Sequence, residues 1–152
     1  MRKLQVGIIG GGASGFFAAI QAAKNGAEVF LFEKSNKVLS KVLISGGGRC
    51  NVTNGTSSPS EFLKGYPRGN KFMKKVFKSF NPKDTLSWFE GRGVPLKTEQ
   101  DGRVFPVSDK STSIANVLQK EAHSFGVKVL YQSGIQEVKQ VDGKFFLKSA
   151  DN

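Results

Sequence analysis

Residues 4–33, LQVGIIGGGASGFFAAIQAAKNGAEVFLFE, carry three elements in thirty positions. Leu4, Val6, Ile8 and Ile9 form a short apolar run that stops at Gly10. From Phe16 to Lys24 the chain is rich in alanine, with Asn25-Gly26 as a stop signal and Lys24 suited to the last helical turn. Val29-Phe30-Leu31-Phe32 is a continuous apolar run, the pattern of a parallel strand covered on both faces. Strand, tight turn, helix and strand predict a βαβ unit. Its turn, Gly10-Gly11-Gly12-Ala13-Ser14-Gly15, satisfies G-x-G-x-x-G, and Glu33 ends the second strand 23 residues beyond Gly10. Gly10 permits the turn, Gly12 lets the backbone approach a pyrophosphate, and Gly15 lets helix and strand pack closely. The helix start offers N–H groups and partial positive charge to phosphates, and Glu33 is placed to accept from a ribose. A dinucleotide is expected here, either NAD or FAD; a glycine-rich turn without a ligand is the plainer alternative.

A second glycine stretch, SGGGRCNVTN at residues 45–54, bears on that choice. Gly46, Gly47 and Gly48 can form a backbone concavity for an anion or a flat ring, and Arg49 adds a forked donor suited to phosphate or carboxylate. Lys41 stands eight residues before Arg49. Two glycine sites flanking Glu33 favour the longer cofactor, FAD, contacted along its length. The alternative is a mobile glycine linker.

Composition sets the outer limits. The chain has 152 residues, thirteen Phe, one Cys and a formal net charge of +11. One cysteine excludes an internal disulfide framework and points to a reducing, cytoplasmic setting. The glycines at 10, 11, 12 and 15 break the apolar stretch that would otherwise mimic a secretory signal. The sequence contains no apolar run of membrane-spanning length. The charge favours anionic partners without choosing among nucleic acid, membrane surface and phosphate-bearing ligand.

Residues 55–70 read as a loop, and 71–80 as an amphipathic helix with Asn70 as N-cap and lysines 71, 74, 75 and 78 on its solvated side. That lysine row is weighed against a nucleic-acid role and assigned to solvent. Asn81-Pro82 starts another helix, with Trp88 and Phe89 as core. VPLKTEQDGRVFPVS, residues 94–108, reads as a hairpin turning at Asp101-Gly102. A helix capped by Ser108 or Ser111 follows, then strands VKVLY, IQEVKQV and KFFLKS. Cys50 reads as a small packing residue, and His123 has no metal-ligand cluster beside it, so no metal site is expected.

VGIIGGGASGFFAAI, VFLFEK, SKVLISGGGRCNVTN and DGRVFPVSDKS together resemble the YhiN/BaiN-type flavoproteins, also described as aminoacetone oxidase family FAD-binding enzymes or NAD(P)/FAD-dependent oxidoreductases. The resemblance covers nearly the whole chain. It implies an α/β, Rossmann-like FAD-binding fold of the glutathione-reductase type, with a helical insertion and a β-meander. Residues 1–54 would be the βαβ unit with its second glycine loop, 55–107 a helical and hairpin insertion, and 108–152 a helix, strand and meander. FAD would lie on Gly10, Gly12, Ala13, Ser14 and Gly15, with Glu33 and Lys34 at the adenosine ribose. Lys41 and the stretch Gly46, Gly47, Gly48, Arg49, Cys50 and Asn51 would line it further along. Ile135 would hold the adenine edge by its backbone.

The implied activity is amine oxidation or reduction of a steroid-like enone, with NAD(P)H as a candidate electron donor and no catalytic residue assigned. Partners are expected to be a small-molecule substrate, not nucleic acid or membrane. Family members run beyond twice this length, so the chain is expected to be an N-terminal portion. It would lack an Ala-Thr-Gly strand and a C-terminal Gly-Asp motif, and its incomplete sheet would expose an edge prone to self-association. The competing reading is a basic binding module with a vestigial Rossmann unit that contacts nucleic acid or membrane.

Overall fold

A computed structural model describes residues 3–56 and 58–149 of the chain. The chain divides into two compact units, one of Met1–Val42 with Leu118–Asn152, the other of Leu43–Val117.

The first unit contains the expected βαβ element. Strand β1 (Gln5–Ile9), helix α1 (Ala13–Lys24) and strand β2 (Glu28–Phe32) follow one another, and β1 pairs with β2 in parallel from Gln5 with Glu28 to Ile9 with Phe32. Helix α1 buries Phe16, Ala19 and Ile20, an i, i+3, i+4 set, in the same core as Val29 and Leu31 of β2. It ends as the Asn-Gly signal requires, with Gly26 at φ 89° donating to the Ala23 carbonyl. The close helix–strand packing rests on Gly15. A Cβ there would stand 1.9 Å from the Gly10 carbonyl oxygen, which no side chain tolerates.

Helix α6 (Ser111–Ser124) begins in the second unit and ends in the first, and strand β6 (Lys128–Leu130) follows it. Strand β6 pairs with β2 in parallel, giving the sheet order β1-β2-β6. Among the described residues β1 therefore has a strand neighbour on one side only. The described part of the expected meander is a hairpin, β7 (Ile135–Val141) with β8 (Lys144–Ser149). Its turn residues Asp142 and Gly143 both have positive φ, as a tight two-residue turn demands.

The second unit holds a three-stranded antiparallel sheet in the order β3-β5-β4. Strands β4 (Leu96–Thr98) and β5 (Arg103–Pro106) are the expected hairpin. The outer strand β3 (Thr53–Asn54) escapes a sequence reading because it is two residues long. Short helices α2 (Ser40–Ile44), α3 (Pro59–Lys64), α4 (Asn70–Val76) and α5 (Pro82–Glu90) complete the elements.

Three expectations are corrected here. Residues 59–64 are helical rather than loop, because Ser58 caps α3 by accepting from the Glu61 N–H and Pro59 pre-sets its first turn. Asn70 does not cap α4. Gly69, in a left-handed conformation, occupies that position, and the Asn70 amide donates to the Leu63 carbonyl instead. Ser111 begins α6 and donates its hydroxyl to the Leu43 carbonyl, while the Ser108 hydroxyl hydrogen-bonds that of Ser113. Helix α5 matches its reading: Asn81 and Asp84 form a reciprocal capping box ahead of buried Phe89.

Candidate functional site

In the first unit the ends of β1 and β2 open onto a cleft of about 380 Å³, lined by Ile9, Gly10, Phe32, Glu33, Lys34, Gly134, Ile135 and Gln136. That volume lies within the ~300–1,000 Å³ range of small-molecule sites, and its position outside the carboxyl ends of parallel strands is where such folds bind ligands. Four residues singled out from sequence, Gly10, Glu33, Lys34 and Ile135, meet in this cleft.

Backbone hydrogen bonds set its shape. Gly10 N–H donates to the Phe32 carbonyl at 2.8 Å, which fixes the glycine turn against the end of β2. Ser133 N–H donates to the Glu33 carbonyl at 2.8 Å and Gln132 N–H to the Ser35 carbonyl at 3.0 Å. These two bonds tie the approach to β7 to the segment after β2, and so bring Ile135 beside Glu33.

The Glu33 carboxylate is held from behind. Its Oε2 accepts from Gly11 N–H at 2.8 Å, and its Oε1 accepts from Ser35 N–H at 2.9 Å. The Ser35 hydroxyl lies 2.9 Å from Oε1 and 2.7 Å from the Lys37 carbonyl, with one proton to give to either. Partial burial pushes the Glu33 carboxyl up. The hydrogen bonds from Ser35 and Gly11, with the nearby Lys34 charge, outweigh it and leave the group below its ordinary value. An ionised carboxylate offers about four acceptor positions, so two or three are filled and at least one is left for an incoming hydroxyl. Gly11 and Ser35 were not singled out from sequence. Ser35 carried a local signal, a small hydroxyl residue two positions after the acid.

Beside the cleft, Gly12 is the N-cap of α1, and Ala13 and Ser14 form the helix's exposed first turn. A Cβ added at Gly12 would meet nothing within 4 Å, and its φ of −88° is open to any residue. Nothing in the described structure requires a glycine there. A ligand pressed against the backbone would. Lys41 lies exposed in α2.

Gly46, Gly47, Gly48, Arg49, Cys50 and Asn51 belong to the second unit. The three glycines have φ between 56° and 85°, so the run is needed first by its own backbone. Gly46 is also hemmed in: a Cβ would stand 2.8 Å from the Asn51 nitrogen and 2.9 Å from the Phe105 ring. Arg49 has its guanidinium 3.9 Å from the centre of that same ring, with Glu99 Oε1 at 2.6 Å and Asp109 Oδ1 at 3.5 Å. Asn51 Oδ1 accepts from Val104 N–H at 3.2 Å. Cys50 is buried, and burial pushes its thiol up against a smaller lowering by a Ser45 hydrogen bond, as suits a packing residue rather than a reactive thiolate. The partners of Arg49 lie about fifty residues or more away and carried no local signal. Among the described residues no His, Cys, Asp and Glu group could hold a metal ion, and no helix is long and apolar enough to cross a membrane.

A family model described as the HI0933-like protein Rossmann domain matches residues 4–152. The 3-dehydro-bile acid delta(4,6)-reductase of Clostridium scindens is 36% identical over 97% of this chain and 35% of its own length. The ribosomal RNA dihydrouridine synthase of Haemophilus influenzae is 32% identical over 88% of this chain and 32% of its own. The chain thus spans about a third of the length of these curated relatives. Among solved structures, 3-ketosteroid-delta4-(5alpha)-dehydrogenase from Rhodococcus jostii RHA1 superposes on 99% of this chain and 45% of its own, with a TM-score of 0.67 at 17% identity. That likeness establishes the Rossmann-type α/β fold.

Proposed function

This chain belongs to the HI0933-like Rossmann domain family, and from that premise we propose that it is the FAD-binding part of a flavin-dependent reductase. The observation that supports the cofactor is the open space over Gly12, at the N-terminal end of α1 and beside the Glu33 cleft. The pyrophosphate would lie against Gly12 and the N–H groups of Ala13 and Ser14, where the helix dipole favours negative charge. The ribose would donate a hydroxyl to Glu33. A second hydroxyl is accommodated when Ser35 turns its proton to the Lys37 carbonyl and frees Oε1. The adenine edge would meet the Ile135 backbone.

The substrate class follows from what the relatives' names have in common. A delta(4,6) 3-keto bile acid and a uracil ring share one reactive feature, a carbon–carbon double bond conjugated to a carbonyl. When bound, the flavin supplies a hydride to the β-carbon of such a system, and a proton completes the α-carbon. A nicotinamide nucleotide, NADH or NADPH, is the proposed source of the electrons. The residues that hold the substrate and move the proton are not assigned to this chain.

The test is to purify the full-length protein and identify any released cofactor chromatographically. Reduction of a 3-keto steroid enone and of uridine in RNA would then be assayed with NADH and NADPH. FAD with turnover of either conjugated substrate supports the reading. A protein that retains NADPH at this site and no flavin overturns it.

A further inference from the structure

The second unit carries a positive surface that cofactor binding leaves unused. Helix α4 and the helical turn that continues it to Phe80 place Lys71, Lys74, Lys75 and Lys78 at i, i+3, i+4 and i+7, a single stripe. All four are exposed, as are Arg68 and Lys83, which flank them in sequence. Among the described residues none of these six forms an ion pair. Two acids close in sequence have other partners. Glu61 pairs with Lys64 at 2.7 Å, and Asp84 accepts from the Asn81 N–H at 2.8 Å. Among the described residues no carboxylate pairs with the lysines of the stripe.

Phe72 breaks the amphipathic pattern. At the C-terminal end of α4, the capping residue Phe77 sits edge-on to Phe62 at 5.2 Å. Phe72, by contrast, is 68% exposed, one turn before Lys75. An exposed aromatic ring beside a row of unpaired cations is the combination that single-stranded nucleic acid uses, with phosphates on the lysines and a base on the ring.

We propose that this face of α4 docks a single-stranded segment of RNA, with its backbone along Lys71, Lys74, Lys75 and Lys78 and a base stacked on Phe72. The proposal rests on the reductase reading above, in which uracil within RNA is one of two conjugated substrates. An anionic lipid surface would meet the same lysines, but the outward apolar residues beside them are only Phe72 and Val76, too narrow a stripe for an interfacial helix.

The experiment measures binding of a labelled uridine-rich single-stranded RNA to the full-length protein across a range of salt concentrations. One variant changes Lys71, Lys74, Lys75 and Lys78 to Gln together, and the other is Phe72→Ala. The lysine variant is expected to weaken binding by about tenfold or more at low salt and to reduce the slope of log K against log salt by about 3, from four lost phosphate contacts. Phe72→Ala, at an exposed position that cannot unfold the helix, should weaken binding by about fivefold or more without changing the slope. Unchanged affinity and slope in the lysine variant, or unchanged affinity in Phe72→Ala, overturns the proposal. So does lysine-dependent binding to phosphatidylserine vesicles with none to RNA. Lysine- and Phe72-dependent RNA binding by a protein that carries no flavin keeps the surface and sinks the cofactor reading instead.

Discussion

At Gly12 an added side chain would enter open space; at Gly46 it would strike the Phe105 ring at 2.9 Å and the Asn51 nitrogen at 2.8 Å. The two glycine-rich stretches look alike in composition, yet their charged neighbours differ as much as their surroundings. Glu33, beside the first, is oriented by backbone N–H groups and keeps acceptor capacity facing a cleft. Arg49, beside the second, spends its guanidinium on Glu99, Asp109 and the Phe105 face. A glycine explained by neither φ nor neighbours leaves room for a ligand. A glycine explained by both already has a reason within the chain.

The most severe way to probe the first stretch is Gly15→Ala. The Gly10 carbonyl oxygen occupies the place of the new Cβ at 1.9 Å, and it is rigid backbone tied into the turn between β1 and α1. Overpacking of this kind costs about 3 kcal/mol or more. Thermal or urea unfolding should show the first unit's loss, and cofactor should go with it. Stability equal to the unmodified protein would mean that the close helix–strand approach is not as the structure has it.

Gly12→Val separates binding from folding. The position is extended and its Cβ direction is empty, so the helix should lose no more than about 1 kcal/mol for a poorer N-cap. The valine methyls would fill the space assigned to the pyrophosphate and displace it from the helix N–H groups. Flavin affinity of the full-length protein is expected to fall about a hundredfold, the scale of one or two lost charge-assisted hydrogen bonds. A Gly12→Val protein that keeps its flavin would erase the distinction drawn between the two stretches.

How far the sequence speaks depends on whether a feature is local. The βαβ unit was legible because its periodicities, its glycine spacing and Glu33 all fall within thirty residues and agree. The α5 capping box was legible for the same reason. Helix α3 was missed although Ser58, Pro59 and Glu61 spell a helix start, because six residues among Gly, Ser and Pro look like loop. The protein partners of Arg49 are not legible in sequence for a different cause. Its partners Glu99, Phe105 and Asp109 come from the far hairpin and its exit, and only tertiary structure brings them to the guanidinium.

The smallest expected effect falls on that arginine, and it sharpens the contrast most. If Arg49 gripped the cofactor directly, Arg49→Ala would weaken flavin binding by about ten- to a hundredfold, the usual cost of a charge-assisted contact. Glu99→Gln would then leave binding intact or improve it by freeing the guanidinium. If instead Arg49 locks the glycine run through Glu99 and Phe105, both substitutions act on one contact. Each should then weaken flavin binding by less than about tenfold, and the double variant should be no worse than the poorer single, because coupled residues do not add. The lock is the expected outcome. Removing Arg49 leaves Glu99 near Arg103 at 3.4 Å and Asp109 paired with Lys97, so neither acid is stranded and the damage stays small. Arg49→Lys should recover only part of the loss, since an ammonium keeps the pairing with Glu99 but cannot lie flat on the Phe105 ring against which Gly46 packs. Flavin titrations of the four variants beside the unmodified protein decide between the two, and a large loss confined to Arg49→Ala would return the second glycine stretch to the cofactor.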